Sequence, residues 1–256
     1  MNQNLYIVTG ASRGLGFALA RALLQPGNFV LGISRTENTG LATLAQAAGA
    51  RLEQWPLDLD HGEQAAAMLT QWLAHRGTAQ GRPAGGFASA TLINNAALLP
   101  RISPLQDADP ADIARALRVG LEAPMQLCAA FLKGTAGWHS ASGQPLPRRV
   151  LNISSGLGRN AMASQSVYCA LKAGMDHFTR CLALEEAALP HGARVCAMAP
   201  GVVDTDMQVQ LRGASAASFA DRGRFVDLHA KGLLSSADDC ARKLLAYLER
   251  ADFGSH

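Results

Sequence analysis

Charged and aromatic side chains are scarce in this chain. Asp, Glu, Lys and Arg make up 17% of its 256 residues, and Phe, Trp and Tyr make up 5%. The formal net charge is only +3, and no basic cluster carries interleaved aromatics, so a nucleic-acid partner is not expected. No run of about 18 apolar residues occurs, which argues against a membrane span. We therefore expect a globular protein with neither nucleic acid nor membrane as a partner.

Paired cysteines and metal-ligand spacings are also lacking. The five cysteines stand alone, without a C-x-x-C pair or a histidine at metal-ligand spacing. Most of them lie in apolar runs, which is typical of small core residues in a reducing cytosol. The stretch MNQNLYIVTG has neither the basic start nor the long apolar segment of a signal peptide. The sequence therefore predicts a cytoplasmic protein without a bound metal.

Short apolar runs alternate with longer segments of helical period along the whole chain, and there is no internal repeat. This alternation is typical of a parallel sheet covered by helices, in one domain over residues 1–256. The predicted strands cover residues 5–8, 28–33, 51–57, 89–94, 148–154 and 193–199, and the predicted helices cover residues 14–25, 39–48, 61–76, 110–132, 165–188 and 236–250.

Three connecting segments are long. Residues 77–87 and 134–147 are rich in Gly, Pro and Ser, which favours surface loops over domain boundaries. Residues 200–235 are weakly patterned, and we interpret them as a mobile segment over a substrate site.

A glycine-rich turn, TGASRGLG, follows the first predicted strand. Gly10, Gly14 and Gly16 permit a tight turn in which backbone N–H groups approach a pyrophosphate at a helix N-terminus. The spacing is G-x-x-x-G-x-G and not the G-x-G-x-x-G of the common dinucleotide fingerprint. The turn predicts a dinucleotide cofactor.

The end of the second predicted strand has no acidic residue. An acid there would bind the ribose 2′-hydroxyl of NAD and repel the 2′-phosphate of NADP. The chain has Ser34 and Arg35 instead, and Arg13 lies in the glycine-rich turn. Two guanidinium groups converging on a phosphate form strong charge-assisted bonds, which favours NADP(H), although both could be ordinary surface arginines.

Tyr168 and Lys172 stand four positions apart in the stretch SVYCALKAG. On a helix this spacing places both side chains on one face, so a phenol and an ammonium can meet. The alternative is an amphipathic helix that carries a surface lysine.

Taken in order, these segments resemble the short-chain dehydrogenases/reductases: TGASRGLG, LDL (57–59), NNAA (94–97), NISS (152–155), YCALK (168–172) and PGVVDT (200–205). Within that family, the stretches NISS, YCALKAG, LALEE and APGVVDTDMQ look most like the sepiapterin reductases and the bacterial benzil reductases. The resemblance covers nearly the whole chain. It implies a Rossmann-like, doubly wound α/β fold with helices on both faces of the sheet.

The resemblance also implies the site residues. Ser155, which lies 13 residues before Tyr168, would complete a catalytic set with Tyr168 and Lys172. Asp58 and Leu59 would contact the adenine, Asn94, Asn95 and Ala96 would lie beside the adenosine half, and four residues after the sixth strand would border the nicotinamide. The implied cofactor contacts are Gly10, Ser12, Arg13, Gly14, Leu15, Gly16, Ser34, Arg35, Asp58, Leu59, Asn94, Asn95, Ala96, Tyr168, Lys172, Pro200, Gly201, Val203 and Thr205.

The implied chemistry is reduction of a carbonyl with Tyr168 as general acid. A free phenol has a pKa near 10, and lowering it by roughly 3 units requires about 4 kcal/mol. A lysine ammonium at about 4 Å supplies that much at an effective dielectric constant of 20, so we expect Lys172 to lower the pKa of Tyr168. Ser155 would hydrogen-bond the substrate oxygen.

Three departures from the family pattern stand out. Gly120 occupies the place where the family has an asparagine that supports a water relay to the lysine, so proton resupply would be slower or the site wider. Ala97 replaces the glycine of NNAG. The chain stops at ADFGSH, without the acidic pterin anchor of sepiapterin reductases, which puts pterin reduction in doubt.

The sequence thus predicts an NADPH-dependent oxidoreductase that reduces a small carbonyl compound or a vicinal diketone. Apolar residues near the expected site suit a flat ligand, although each could equally be an ordinary core residue: Leu98, Leu99, Leu157, Met162 and Met207. The alternatives are a 3-oxoacyl thioester reductase and a non-catalytic NADP-binding regulatory protein. Resemblance further implies a homodimer or homotetramer.

Overall fold

A computed structural model of the protein describes residues 3–78, 86–140 and 142–255. Most of the loop predicted at residues 77–87 therefore lies outside the described residues. The described strands form one parallel sheet in the order β3-β2-β1-β4-β5-β6. They are β1 (Gln3–Thr9), β2 (Asn28–Ser34), β3 (Arg51–Pro56), β4 (Phe87–Asn94), β5 (Arg148–Ile153) and β6 (Arg194–Met198). This is the doubly wound order, and the predicted fold class is confirmed.

Side chains of the central strands alternate between two apolar cores, one on each face of the sheet. Leu5 and Ile7 of β1 belong to one core, while Tyr6 and Val8 belong to the other. Because helices cover both faces, the strands carry continuous apolar runs without an alternating polar face.

The described residues contain nine α-helices. They are α1 (Gly14–Leu23), α2 (Thr39–Ala48), α3 (Gly62–Thr78), α4 (Pro110–Leu117), α5 (Ala123–Thr135), α6 (Ser166–Ala187), α7 (Asp206–Gly213), α8 (Arg222–Ala230) and α9 (Ala237–Leu248). Helices α1, α2 and α9 supply apolar side chains to the core that contains Tyr6, and α3, α5 and α6 supply them to the core that contains Leu5. Helices thus pack on both faces, as predicted.

The single helix predicted over residues 110–132 is interrupted. A π turn, Arg118–Glu122, joins α4 to α5, and the Ala123 N–H bonds to the Arg118 carbonyl five residues back. Pro124 explains the wider turn, since its ring has no N–H and would clash with the carbonyl of Gly120 in a regular α-helix.

The weakly patterned segment 200–235 contains the helices α7 and α8, which the sequence did not predict. Its two ends are joined, because Val203 and Ser235 form a parallel bridge. Between them, Leu211, Phe219 and Phe225 form a small apolar cluster of their own. The predicted mobility of this segment remains a prediction.

Two observations concern membranes and metals. None of the described helices is long and apolar enough to cross a membrane. Within residues 3–78, 86–140 and 142–255, no three His, Cys, Asp or Glu side chains come together as metal ligands.

Candidate active site

A cleft of about 740 Å³ opens at the carboxyl ends of the strands. It lies where the chain leaves β1 and β4 in opposite directions, which is where doubly wound sheets bind their ligands. The loops after β1, β2 and β4 line one part of the cleft, which we call the cofactor half. The start of α6 and the helices α7 and α8 line the other part, which we call the substrate half.

The glycine-rich turn forms the floor of the cofactor half. Gly10 has a φ of +69°, which favours glycine. A Cβ at Gly16 would overlap the Gly10 carbonyl oxygen and lie 2.5 Å from the Asn95 side-chain nitrogen. Asn95, the residue after β4, holds the turn in place, because its Nδ2 donates to the Thr9 carbonyl at 3.0 Å. At Gly16 the turn therefore has room only for backbone atoms, and helix α1 begins within the turn at Gly14.

The basic residues predicted to bind a 2′-phosphate both line the cleft but differ in their contacts. Arg35 is exposed and has no ion-pair partner among the described residues. Arg13 forms an exposed ion pair with Asp206 of α7, at 2.9 Å. The side chain of Ser34 also lines the cleft, and its hydroxyl donates to the Thr36 carbonyl at 3.0 Å.

The predicted adenine side contains one residue that the sequence argument missed. Asp58 and Leu59 line the cleft as predicted. Arg115 of α4 lines it too, with its Nη2 atom 3.6 Å from Asp58 Oδ2, and its buried Nε has no hydrogen-bond partner among the described residues. A lone arginine on a helix face carries no signal in the sequence, since only the fold brings it to the cleft.

The structure corrects the prediction for Asn94. This residue is 3% exposed and does not line the cleft. Its Nδ2 donates to Asn152 Oδ1 at 2.9 Å, which ties β4 to β5 inside the core. Because successive side chains of a strand point to opposite faces, Asn94 faces inward while the following residues turn toward the cleft.

The structure brings the remaining predicted residues together around the cleft. They are Gly10, Ser12, Arg13, Gly14, Leu15, Gly16, Ser34, Arg35, Asp58, Leu59, Asn95, Ala96, Ser155, Tyr168, Lys172, Pro200, Gly201, Val203 and Thr205.

The three predicted catalytic residues meet between the two halves. Ser155 follows β5, and Tyr168 and Lys172 lie one turn apart in the first half of α6. Tyr168 is 6% exposed and Lys172 is 3% exposed. The Lys172 ammonium donates to the Ile153 carbonyl at 2.6 Å and lies 5.8 Å from the centre of the Tyr168 ring.

Burial dominates the protonation of this pair. It raises the pKa of Tyr168 to about 12, and a hydrogen bond from Ser155 opposes that rise. Burial also lowers the pKa of Lys172 to about 8. The expected lowering of the Tyr168 pKa by Lys172 is not seen in this structure, because burial raises that pKa and the Lys172 ammonium donates to the Ile153 carbonyl.

Gly120 is packed closely against α6. A Cβ at this position would lie 3.0 Å from Leu171 Cδ1, so the leucine next to Lys172 occupies the space of a side chain. An asparagine at position 120 would have to displace Leu171. The structure thus supports a close helix contact at Gly120 rather than a wider site.

The substrate half is mostly apolar. The α7–α8 segment supplies Leu211, Phe225 and Leu228, and all five apolar residues named from the sequence also line the cleft. Two buried glutamines, Gln165 and Gln208, line it as well. Nothing in the sequence indicated Gln208, because neither α7 nor the way in which residues 206–228 fold back over the site was predicted.

Comparison with known proteins agrees with this geometry. Residues 4–216 match the family model described as short chain dehydrogenase. The chain is 34% identical over 247 residues to a benzil reductase ((S)-benzoin forming) of Bacillus cereus, covering 96% of this chain and 94% of the relative. It is 32% identical over 253 residues to a sepiapterin reductase of Xenopus tropicalis, covering 96% and 91%.

A solved structure shares the architecture. A metagenomic short-chain oxidoreductase in complex with NADP superposes with a TM-score of 0.69 at 28% identity, covering 98% of this chain and 92% of that one. Sequence motifs, sheet order and the position of the cleft all agree, and the chain belongs to the short-chain dehydrogenase family.

Proposed function

We propose that this protein is an NADPH-dependent oxidoreductase that reduces a small carbonyl compound, specifically a vicinal diketone. The observation that carries the proposal is the meeting of Ser155, Tyr168 and Lys172 between a glycine cradle and an apolar pocket. Tyr168 offers a proton, Ser155 a hydrogen bond to the substrate oxygen and Lys172 a positive charge. All three lie at one point of the cleft, where a carbonyl can be reduced.

The side chains of the site have distinct roles in this proposal. Tyr168 is the proton donor to the nascent alkoxide, because its phenol is protonated at neutral pH and lies next to Ser155. Ser155 hydrogen-bonds the substrate oxygen and the phenol. Lys172, with a pKa of about 8, carries a positive charge at pH 7 next to the developing negative charge. NADPH, when bound, supplies the hydride.

The cofactor half fits NADPH. The close approach of Gly16 to Gly10 leaves bare backbone where a pyrophosphate must come near, at the N-terminus of α1. Exposed Arg35 and Arg13 stand where a 2′-phosphate would lie, and no acid follows β2 in the stretch GISRT. The NADP-bound neighbour in the family supports the same preference.

A diketone suits the substrate half. The apolar side chains of this half match a flat, aromatic ligand, and the relatives from Bacillus are named for benzil. The isolated cysteines support a cytoplasmic location, and family resemblance supports a homodimer or homotetramer.

The test is NADPH oxidation with benzil, other vicinal diketones, sepiapterin and an acetoacetyl thioester, with NADH as the alternative cofactor. We expect benzil turnover to fall by about 100- to 10,000-fold in Tyr168→Phe, because the proton donor is removed. Tyr247→Phe is the matched control, since Tyr247 packs against Phe253 in the core and does not line the cleft. It should retain full activity.

Each substrate separates the alternatives. Turnover of the acetoacetyl thioester alone would favour the thioester reductase. NADPH binding without turnover of any carbonyl compound would overturn the proposal in favour of a regulatory protein.

A further inference from the structure

Two buried glutamines in the substrate half have amide atoms without partners. Gln165 is 3% exposed and Gln208 is 7% exposed. Both amide atoms of Gln165 and the Oε1 of Gln208 are buried and have no hydrogen-bond partner among the described residues. We call these two residues the amide pair. Both line the cleft that contains Tyr168.

The backbone holds the amide pair in place from two sides. Gln165 directly precedes α6, three positions before Tyr168. Its neighbour Ser164 has a φ of +62°, a strained value for a residue other than glycine, and its hydroxyl donates to the Ser218 carbonyl at 2.6 Å. Gln208 lies in the first turn of α7, where its N–H donates to the Thr205 carbonyl at 2.8 Å.

The surroundings of the pair make its polarity unusual. The nearby lining residues Met162, Met207 and Leu211 are apolar. A buried amide that lacks partners costs free energy, so its retention calls for a ligand that completes its hydrogen bonds. Ser155 and Tyr168 already serve the oxygen that is reduced, which leaves the amides for another polar atom.

We propose that the Gln165 amide binds the second oxygen of a vicinal dicarbonyl substrate, the oxygen that is not reduced. This inference rests on the proposed function. Both amide atoms of Gln165 are unpartnered, so its NH2 group can donate to a ketone oxygen, whereas the unpartnered atom of Gln208 is an oxygen, which only accepts. Gln165 then distinguishes a diketone from a simple ketone of the same shape, because the simple ketone leaves its NH2 group unpartnered.

The experiment compares two substrates that differ by one oxygen, benzil and deoxybenzoin. The variant is Gln165→Met, because methionine keeps the length of the side chain and removes its amide. Gln71→Met, at an exposed position of α3, is the matched control. We measure kcat and KM for both substrates, the Kd of NADPH and the Tm.

We expect kcat/KM for benzil to fall about tenfold in Gln165→Met, mainly through KM, which is the size of one lost hydrogen bond. Turnover of deoxybenzoin and the Kd of NADPH should stay within about twofold of the wild type. The Tm should not fall, since an amide without partners contributes no stability.

Other outcomes overturn the inference. Equal losses with both substrates, or a lowered Tm, would assign the amides to structure or to bound water. An unchanged ratio of the two substrates would remove the amides from recognition. The failure of the proposed function is distinguishable, since the wild type would then oxidise NADPH with neither ketone.

Discussion

The two halves of the cleft are built from different parts of the chain. The floor of the cofactor half is backbone: Gly10 and Gly16 approach each other without side chains, and a pair of hydrogen bonds between Thr9 and Asn95 holds the turn. The substrate half consists of side chains from α6 and the α7–α8 segment, which has its own apolar cluster. A surface made of backbone tolerates no added atom, whereas a surface made of side chains can change its ligand by single substitutions.

The largest contrast is expected for added methyl groups. Gly16→Ala places a Cβ into the Gly10 carbonyl, so we expect the free energy of unfolding to fall by about 1–3 kcal/mol and the Kd of NADPH to rise at least about tenfold. Urea denaturation and fluorescence titration measure both effects.

Gly223→Ala is the counterpart on the substrate side. Gly223 lies in α8, and a Cβ there would meet nothing within 4 Å. The protein should become more stable by about 0.5 kcal/mol, because alanine favours the helix, and NADPH should bind unchanged. Equal destabilisation by both substitutions would break the contrast between the halves.

Lys172, between the halves, gives a pH-dependent contrast. Its pKa is lowered from 10.5 to about 8 by burial. Below pH 8 the folded state bears the full cost of the buried charge, and that cost is relieved as the pH rises toward 10.5. We therefore expect Lys172→Met to be more stable than the wild type at pH 7, and this advantage to shrink by about 2 kcal/mol at pH 10.

Urea denaturation of both proteins at several pH values checks this, since other titrating groups cancel in the difference. Lys172→Arg is the control, because arginine keeps its charge to a higher pH. A difference between wild type and Lys172→Met that is constant with pH would contradict the lowered pKa.

A further contrast concerns the two arginines at the predicted 2′-phosphate site. Arg35→Ala should weaken NADPH binding by about 10- to 100-fold and leave NADH within about twofold, because charge-assisted bonds are lost only with the phosphate. Arg13→Ala should cost about threefold, since Asp206 already neutralises part of its charge.

Titration with both cofactors at low and high salt measures the two effects. Losses of the same size for NADPH and NADH would show that neither guanidinium reads the 2′-phosphate.

Much of the fold and of the cofactor half followed from the sequence. Apolar runs and helical periods located the strands β1 to β6 and the helices other than α7 and α8, with α4 and α5 predicted as one helix. The glycines of the turn and the Tyr168–Lys172 spacing indicated the site from local backbone geometry and helical phase, and the family resemblance added Ser155.

The remainder depended on contacts between distant segments. Arg115 and Gln208 reach the cleft only after α4 and the α7–α8 segment have packed, and no local pattern marks them. Asn94 was predicted as a cofactor contact because the NNAA motif identifies the residues but not the side of the strand to which each side chain points. The raised pKa of Tyr168 results from its burial, and the spacing between Tyr168 and Lys172 carries no information on burial.

The π turn at Arg118–Glu122 has a consequence for insertions and deletions in this chain. It accommodates one residue more than a regular helix, so the faces of α4 and α5 are out of step by about 100° compared with a continuous α-helix. Removing one residue from the turn would turn it into a regular α-helical turn and leave Leu127 and Phe131 in the core while Arg115 and Val119 keep their places at the cleft. A deletion elsewhere in α4 or α5 would rotate one face against the other, so the helix pair can lose a residue only at the π turn.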